Sequence, residues 1–269
     1  MVSKISFIQD YQGNSLPVKN YRRIVSLVPS LTDLLFSFGL ENAIVGVTKY
    51  CVSPPQAMQK PRTIVGGTKN PNIKTILELK PDIVLINQEE NQLKHFKALQ
   101  ENDIPVFITF PKTVDEAVSL FYDLQKLFQI SKSEQFEELK IILSKIKEKT
   151  LTLQKKKKVF CLIWKKPWIS INEDTFASSM IEYCGGQNLT SNYLERYPKI
   201  DLGTIIDLNP DVILLPDEPY KFQEEDKKEL KDFFKETSLK IEIIDGTFHW
   251  YSFKMIQSIS NLSRILLYS

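Results

Sequence analysis

A chain of 269 residues, 42% apolar and 25% charged, can bury one large core or two smaller ones, and its composition is neither disordered nor collagen-like. Its 35 Lys and Arg against 33 Asp and Glu leave a formal net charge of +2, so no overall basic field favours nucleic acid or an anionic membrane surface. No apolar run approaches the ~20 residues that span a bilayer, and Cys51, Cys161 and Cys184 form no C-x-x-C pair, so neither a transmembrane segment nor a disulfide framework is expected. The first residues lack the apolar core and cleavage site of a secretory signal. With Met1 as the native start the expectation is a cytoplasmic protein; a signal upstream of it would make the chain periplasmic or cell-surface.

The apolar run RIVSLV (23–28) stops at Pro29. Ser30 then reads as an N-cap before the helical spacing Leu31, Leu34, Leu35 and Phe38, with Asp33 near the capping-box position and Gly39 as the stop. A second strand, AIVGVT (43–48), enters the loop KYCVSPPQ, where Pro54 and Pro55 end it. A short strand broken by Gly66 and Gly67 follows, then a helix over 73–79, a strand over 83–86, a helix over 93–99 and the strand IPVFIT (104–109). Strands alternate with helices at spacings too long for hairpins, which predicts a parallel sheet of βα units. Ligand-facing loops then lie beyond the carboxyl ends of the strands.

From Thr113 the pattern changes. Glu116 takes the capping-box position, and Ala117, Leu120, Phe121, Leu124 and Phe128 follow at helical spacing. A break at 131–133 leads to a second helix carrying Phe136, Leu139, Ile142, Leu143 and Ile146. The second half restarts with VFCLIW (159–164), the loop KKPW, a helix around 176–184 and a turn at Gly185-Gly186. There ILELKPDIVLINQEEN (76–91) is echoed by IIDLNPDVILLPDEP (205–219): at constant offset Ile76 matches Ile205, Leu79 Leu208, Pro81 Pro210, Asp82 Asp211 and Leu85 Leu214. In each copy Pro halts a helix, Asp begins the turn and a β-branched run enters the sheet. The repeat predicts two halves of common architecture. A last strand, IEIID (241–245), leads through GTFHWY to a terminal helix. The boundaries expected are a first α/β lobe over 1–112, a connecting helical segment over 113–154 and a second α/β lobe over 155–269.

No G-x-S-x-G, P-loop, dinucleotide fingerprint or H-E-x-x-H is present, so no catalytic residue is assigned. His95, on the helix over 93–99, reads as a solvated or half-buried surface residue; His249 has no partners at metal-ligand spacing, and no metal site is assigned. Aromatic placement is more informative. Tyr50, Trp164, Trp168, Tyr220 and the run Phe248, His249, Trp250 and Tyr251 fall at or just past predicted strand ends, where side chains face a crevice. Trp and Tyr present rigid faces with a polar tip, suited to a flat amphipathic ligand; Trp164, ending a buried strand, fits a core-capping role equally. The remaining ligand-binding candidates flank these strand ends: Pro29 and Ser30, Cys51, Gly67 and Thr68, and Asn87. Two acidic pairs, Glu89-Glu90 and Asp217-Glu218, close the two copies of the echo and fit solvated loop charge, ligand contact or a docking surface for a basic partner.

In chain order, RIVSLVPSLTDLLFSFGL, VGVTKYCVSPPQA, VGGTKNP, LKPDIVLINQEEN, DEPYKF and FHWYSFKM resemble the class III substrate-binding proteins of ABC transporters, which take up cobalamin, haem and iron-siderophores. The resemblance runs from Arg22 to about Met255 and is closest to the cobalamin-binding-like branch. It implies two Rossmann-like lobes with mainly parallel sheets, joined by a long rigid backbone helix that opens at Thr113, with the ligand clamped between the lobes. It further implies a monomeric, non-enzymatic binding protein that requires no cofactor, takes cobalamin or another metal chelate, and has an ABC permease as partner. By motif position Tyr50 resembles a ligand-contacting aromatic and Trp250 its counterpart in the other lobe. The family docks its permease through lobe-surface carboxylates, whereas the matching first-lobe position here is Leu93. Asn87-Gln88 replace the usual tryptophan after the first Pro-Asp strand and make that wall more polar. His249 stands where a small residue is common and offers a metal or haem contact. A cytoplasmic cofactor-handling protein or enzyme that retains the fold is the alternative.

Overall fold

The computed structural model describes residues 6–55, 62–131, 133–235 and 239–268. Met1, Gln56 at the end of the KYCVSPPQ loop, Ala57 beyond it, and Lys132 in the predicted helix break lie outside the described residues. The chain divides into two compact units, Met1–Pro111 with Asp115–Glu137, and Lys112–Val114 with Glu138–Ser269.

The first unit opens with a hairpin that the spacing argument missed, β1 (Phe7–Gln9) antiparallel to β2 (Ser15–Pro17). One carboxylate holds it. Asp10 Oδ1 accepts the N–H groups of Gln12 and Asn14, each at 2.9 Å, while Oδ2 accepts from Ile108 N–H at 3.0 Å and so ties the turn to a sheet edge. That sheet has the order β5 (Thr63–Ile64), β4 (Ile44–Val47), β3 (Ile24–Ser26), β6 (Ile83–Asn87), β7 (Val106–Thr109), and every pairing in it is parallel. Val25, Leu27, Val84, Ile86 and Ile108 are buried in one cluster with Ile76 and Leu99, the near-continuous apolar pattern of strands covered on both faces.

Helix α1 (Pro29–Ser37) starts at Pro29, with Val28 as its cap, so Ser30 is not the N-cap but a buried residue of the first turn. The reason is local: proline's fixed φ suits the first helical position, where its missing N–H is no loss. At the other end Gly39 has φ +73°, and the bonds Gly39 N–H to Phe36 O (2.9 Å) and Leu40 N–H to Leu35 O (3.0 Å) make a Schellman stop. α2 (Ile73–Glu78) and α3 (Leu93–Gln100) follow β5 and β6. His95 on α3 is buried, contrary to its expected surface position; burial, aided by Lys94, pushes its imidazole below the ordinary value. Two helices then run in succession, α4 (Val114–Leu127) and α5 (Glu134–Leu151), and the division between units falls at the first residue of α4 and after Glu137 of α5. Val114 counts with the second unit because its N–H donates to Ser179 Oγ (3.0 Å), next to the Lys112–Asp174 ion pair (2.7 Å).

The second unit contains β8 (Lys157–Cys161), α6 (Phe176–Tyr183), β9 (Gly186–Asn188), α7 (Leu202–Leu208), β10 (Val212–Pro216), α8 (Glu224–Phe234), β11 (Lys240–Ile244) and α9 (Met255–Leu267). Its parallel sheet has the order β11-β10-β8-β9. Counted within each unit, β9-β8-β10-β11 repeats the order β4-β3-β6-β7. β8 stops at Cys161, three residues short of Trp164, because Ile163 and Trp164 turn to pair with Ile169 (2.9 and 3.1 Å).

The sequence echo is a single device built twice. Lys80 (φ +46°) and Asn209 (φ +49°) end α2 and α7 in the left-handed region, and proline follows each. The aspartate does more than begin the turn, because its side chain reaches the neighbouring strand. Asp82 Oδ2 accepts the N–H groups of Arg22 (2.8 Å) and Arg23 (2.9 Å), and Asp211 Oδ2 accepts that of Lys158 (2.7 Å). The strand returns a cation to the helix: Arg23 donates to Leu79 O (2.6 and 2.9 Å), and Lys158 Nζ donates to Leu208 O (3.1 Å) and Asn209 O (2.8 Å). These carbonyls are the ones a helix C-terminus leaves without partners, so a positive side chain there satisfies both hydrogen bonding and dipole.

Asp82→Ala and Asp211→Ala should each lower the thermal midpoint, by the equivalent of about 1 kcal/mol for hydrogen bonds near solvent, and the losses should add in the double variant because the sites lie in separate units. Thermal melts of the three variants check this, and unchanged midpoints in both single variants would refute it. Gly246→Ala should be costlier, since its Cβ would lie 2.5 Å from Glu218 N and Cβ, a clash that only backbone movement relieves. A melt of that variant matching the parent would refute the close approach.

Candidate functional site

Because both sheets are parallel, each gathers the ends of its strands on one edge. The chain direction switches between β3 and β6 in the first unit and between β8 and β10 in the second, the position at which open α/β sheets hold ligands. Pro29 and Ser30 follow β3, Tyr50 and Cys51 follow β4, Gly67 and Thr68 follow β5, and Asn87, Glu89 and Glu90 close β6, so these candidates share the first unit's carboxyl-end rim. Trp164 and Trp168 follow β8, Tyr220 follows β10, and Phe248, His249 and Trp250 follow β11, on the corresponding rim of the second.

On the first rim Tyr50 is 52% exposed, with Lys49 Nζ 5.0 Å from its ring centroid. Gly67 is buried beneath it, where a Cβ would meet the Tyr50 ring at 3.3 Å and Asn70 Oδ1 at 2.6 Å. Asn87 is buried and shapes the loop: its Oδ1 accepts from Glu89 N–H (2.8 Å) and Glu90 N–H (3.0 Å), and its own N–H donates to Asn91 Oδ1 (2.9 Å). Asn91 Nδ2 donates in turn to the carbonyl of buried Thr68 (2.8 Å). The polar wall expected of Asn87 therefore falls to exposed Gln88, which accepts from Gln12 Nε2 (3.1 Å). Cys51 is 1% exposed; Thr32 Oγ1 donates to its sulfur, Thr48 Oγ1 lies equally close at 3.1 Å, and burial pushes the thiol up. Its contacts are internal. Glu90 is half-buried; burial raises its carboxyl above the usual range against the opposing charge of Lys69, and neighbouring Glu89 adds to the rise.

The second rim is aromatic and acidic. Trp164 is 41% exposed, which removes the core-capping reading, and meets Tyr220 edge-to-face at 5.8 Å. Tyr220 meets Phe222 at 4.7 Å, and Trp168 lies parallel to Phe222 at 6.3 Å. Lys165 fixes this platform from behind: its ammonium is 2.6 Å from both Asp226 and Glu229 on α8 and 5.4 Å above the Trp168 ring. Burial opposes that charge, but the two carboxylates hold it above the ordinary lysine value. Phe248 and Trp250 are buried, and His249 is half-buried against Phe248. Lys254 Nζ lies 5.3 Å over the Trp250 ring. Glu218 is raised above the usual carboxyl range by burial first and then by Asp217 and Asp245. Asp217 in turn accepts from Gly246 N–H at 2.6 Å.

Two contributors escaped the sequence reading. Tyr197, 40% exposed, rides on a segment bonded to the loop after β8 through Ser170 N–H to Pro198 O (2.9 Å) and Asn172 N–H to Arg196 O (3.0 Å). Arg196 lies 5.8 Å over its ring and shares Asp174 with Lys112, which hold that carboxyl below its ordinary range, Lys112 first. α8 is the other; its signal was Asp226, whose carboxylate accepts from Gln223 N–H (3.0 Å) at a helix start. Among the described residues no three His, Cys, Asp or Glu side chains are disposed to hold a metal, and no helix is long and apolar enough to cross a membrane.

The family described as periplasmic binding protein matches residues 24–239. The chain is 27% identical over 206 residues to the vitamin B12-binding protein of Yersinia pestis (strain Pestoides F), covering 75% of this chain and 71% of that protein. Among solved structures it is similar to the periplasmic vitamin B12 binding protein BtuF of Vibrio cholerae, with TM-score 0.73, 19% identity, and coverage of 90% of this chain and 95% of that one. It is also similar to the periplasmic haem-binding protein RhuT from Roseiflexus sp. RS-1, with TM-score 0.74, 16% identity, and coverage of 90% and 96%. Likeness at these identities shows the fold, two α/β lobes with parallel sheets. The cytoplasmic expectation is overturned: it rested on the first residues, whereas the domain itself matches proteins of the periplasm. The fold, the repeated strand order and the match across most of the chain agree that this protein belongs to the periplasmic binding protein family.

Proposed function

We propose that this chain is a non-enzymatic receptor for a flat metal chelate, a corrinoid or a haem, held at the carboxyl-end rims of its sheets and passed to an ABC permease. The observation that carries the reading is the half-exposed Trp164 set edge-on to Tyr220 just beyond β8 and β10, with exposed Tyr50 beyond β4 of the other unit. An exposed indole fixed by its neighbours offers a large apolar face at little conformational cost, which suits a macrocycle that must shed water on binding. Polar groups at the same rims, Gln88, Glu90 and Glu218, supply orientation. The B12 and haem names of the similar proteins support the ligand class. Leu93, 59% exposed at the start of α3, offers an apolar surface to the permease where the family uses a carboxylate.

Titrating the purified chain with hydroxocobalamin and with haemin, followed by tryptophan quenching and visible absorbance, should show saturable one-to-one binding of at least one of them. Trp164→Ala should weaken that binding about tenfold or more, as loss of a central aromatic contact does, while the variant still melts in one cooperative transition, because the residue is 41% exposed. Silence with corrinoids, haem and ferric siderophores alike would overturn the proposal.

A further inference from the structure

A cavity of about 470 Å³ lies within the second unit between edge strand β11 and helix α9; it runs from Lys240 to Asp245, includes none of the residues assigned to the chelate, and its volume is in the range of small-molecule sites. Its charges are sorted by position. Lys240 opens β11, and Arg264 precedes Ile265, whose carbonyl accepts Lys157 Nζ at 3.2 Å. Lys157 is the first residue of β8, so both cations mark the amino-end pole of the sheet, opposite the rim. Lys149 adds a further positive charge 4.6 Å over the ring of Tyr268, which also lines the cavity. Two carboxylates line the cavity as well: Glu242, engaged by Lys227 at 3.6 Å, and Asp245 just past the other end of β11, whose Oδ1 accepts from Thr247 N–H at 2.8 Å. Among the described residues neither Lys240 nor Arg264 has a carboxylate partner. The crowding also registers at Lys157, whose ammonium is pushed down by burial and by Lys240, with Asp211 opposing. Ile243, Ile265 and the Tyr268 ring supply an apolar wall beside this pole.

We propose that this cavity is a second binding site, one for a small organic oxyanion: a carboxylate or phosphate monoester group between Lys240 and Arg264, with its apolar body against Ile243, Ile265 and Tyr268. A guanidinium with a fixed planar fork suits either oxyanion, and the lysine adds a point charge. The anion position lies at the Lys240 end of β11, opposite the chelate rim, so the two proposals stand or fall separately.

The test uses the full chain and three probes of similar size, phenyl phosphate, benzoate and the neutral benzyl alcohol, followed by amide chemical shifts. Phenyl phosphate or benzoate should give saturable shifts centred on Lys240, Arg264 and Tyr268, the two probes telling phosphate from carboxylate preference, and benzyl alcohol should give none. Lys240→Gln and Arg264→Gln should each weaken binding about tenfold, in line with loss of a charge-assisted hydrogen bond, whereas Glu242→Gln should tighten it. Arg264 is exposed, so its variant should keep the parent's melting midpoint and report binding alone. The proposal is overturned if neither anion moves these residues, if benzyl alcohol binds as well as the anions, or if Arg264→Gln binds like the parent.

Discussion

In each unit the carboxylate of a Pro-Asp pair seizes backbone N–H at the start of the neighbouring central strand, and the rest of the sheet is laid out from that contact. Asp82 binds the chain entering β3 and Asp211 the chain entering β8, and each aspartate's own N–H returns a bond of 2.8 Å. A parallel pair has no tight turn to set its register, since its strands are joined by a crossover. The aspartate supplies that reference, aligning Ile24 with Ile83 and Val159 with Val212. Once those pairs are fixed, the loops beyond their far ends must emerge side by side, which is where each rim lies.

The same contact explains why so much of the fold was legible. Proline, aspartate and a β-branched run act locally, and a buried parallel strand announces itself as an uninterrupted apolar run. What was not legible depended on partners distant in sequence. The hairpin β1–β2 is too short to show a pattern, and it stands because Asp10 bonds Ile108, 98 residues away. Helix α8 is strongly polar, and its place is set by Lys165 reaching Asp226 and Glu229. The shortening of β8 comes from the turn that pairs Trp164 with Ile169, so a run that reads as strand to its last residue yields an exposed tryptophan.

The rims divide along similar lines. Position in the chain identified residues at or beyond strand ends, and they lie there, Asn87 as the last residue of β6; it could not say which side chains face outward. Cys51, Thr68, Asn87 and Phe248 are buried, with partners inside their own unit, while Tyr50 and Trp164 are open to solvent. Polar groups just past a buried strand must satisfy the loop's backbone before they can serve a ligand, because an unpaired buried N–H is costly. Asn87 shows this, spending its carbonyl oxygen on two loop N–H groups. Tyr50 and Trp164 carry no backbone of the loop in this way, and their rings stand open to solvent.

The two units therefore share a frame without sharing a surface. The matched residues of the echo, from the helix stop through the aspartate to the strand, occupy equivalent places and make equivalent bonds. Past the strand the copies diverge: Asn87-Gln88-Glu89-Glu90 folds back on itself, whereas Asp217-Glu218-Pro219-Tyr220 sets a ring edge-to-face with Trp164 and takes Gly246 N–H on the Asp217 carboxylate. Stability constrains the frame because each aspartate has one strand to hold. The loops are released from that constraint, since nothing in the register depends on them, and they are free to differ in polarity. A duplicated architecture can thus present two chemically distinct rims, one largely polar and carrying the exposed Tyr50, and one aromatic and acidic.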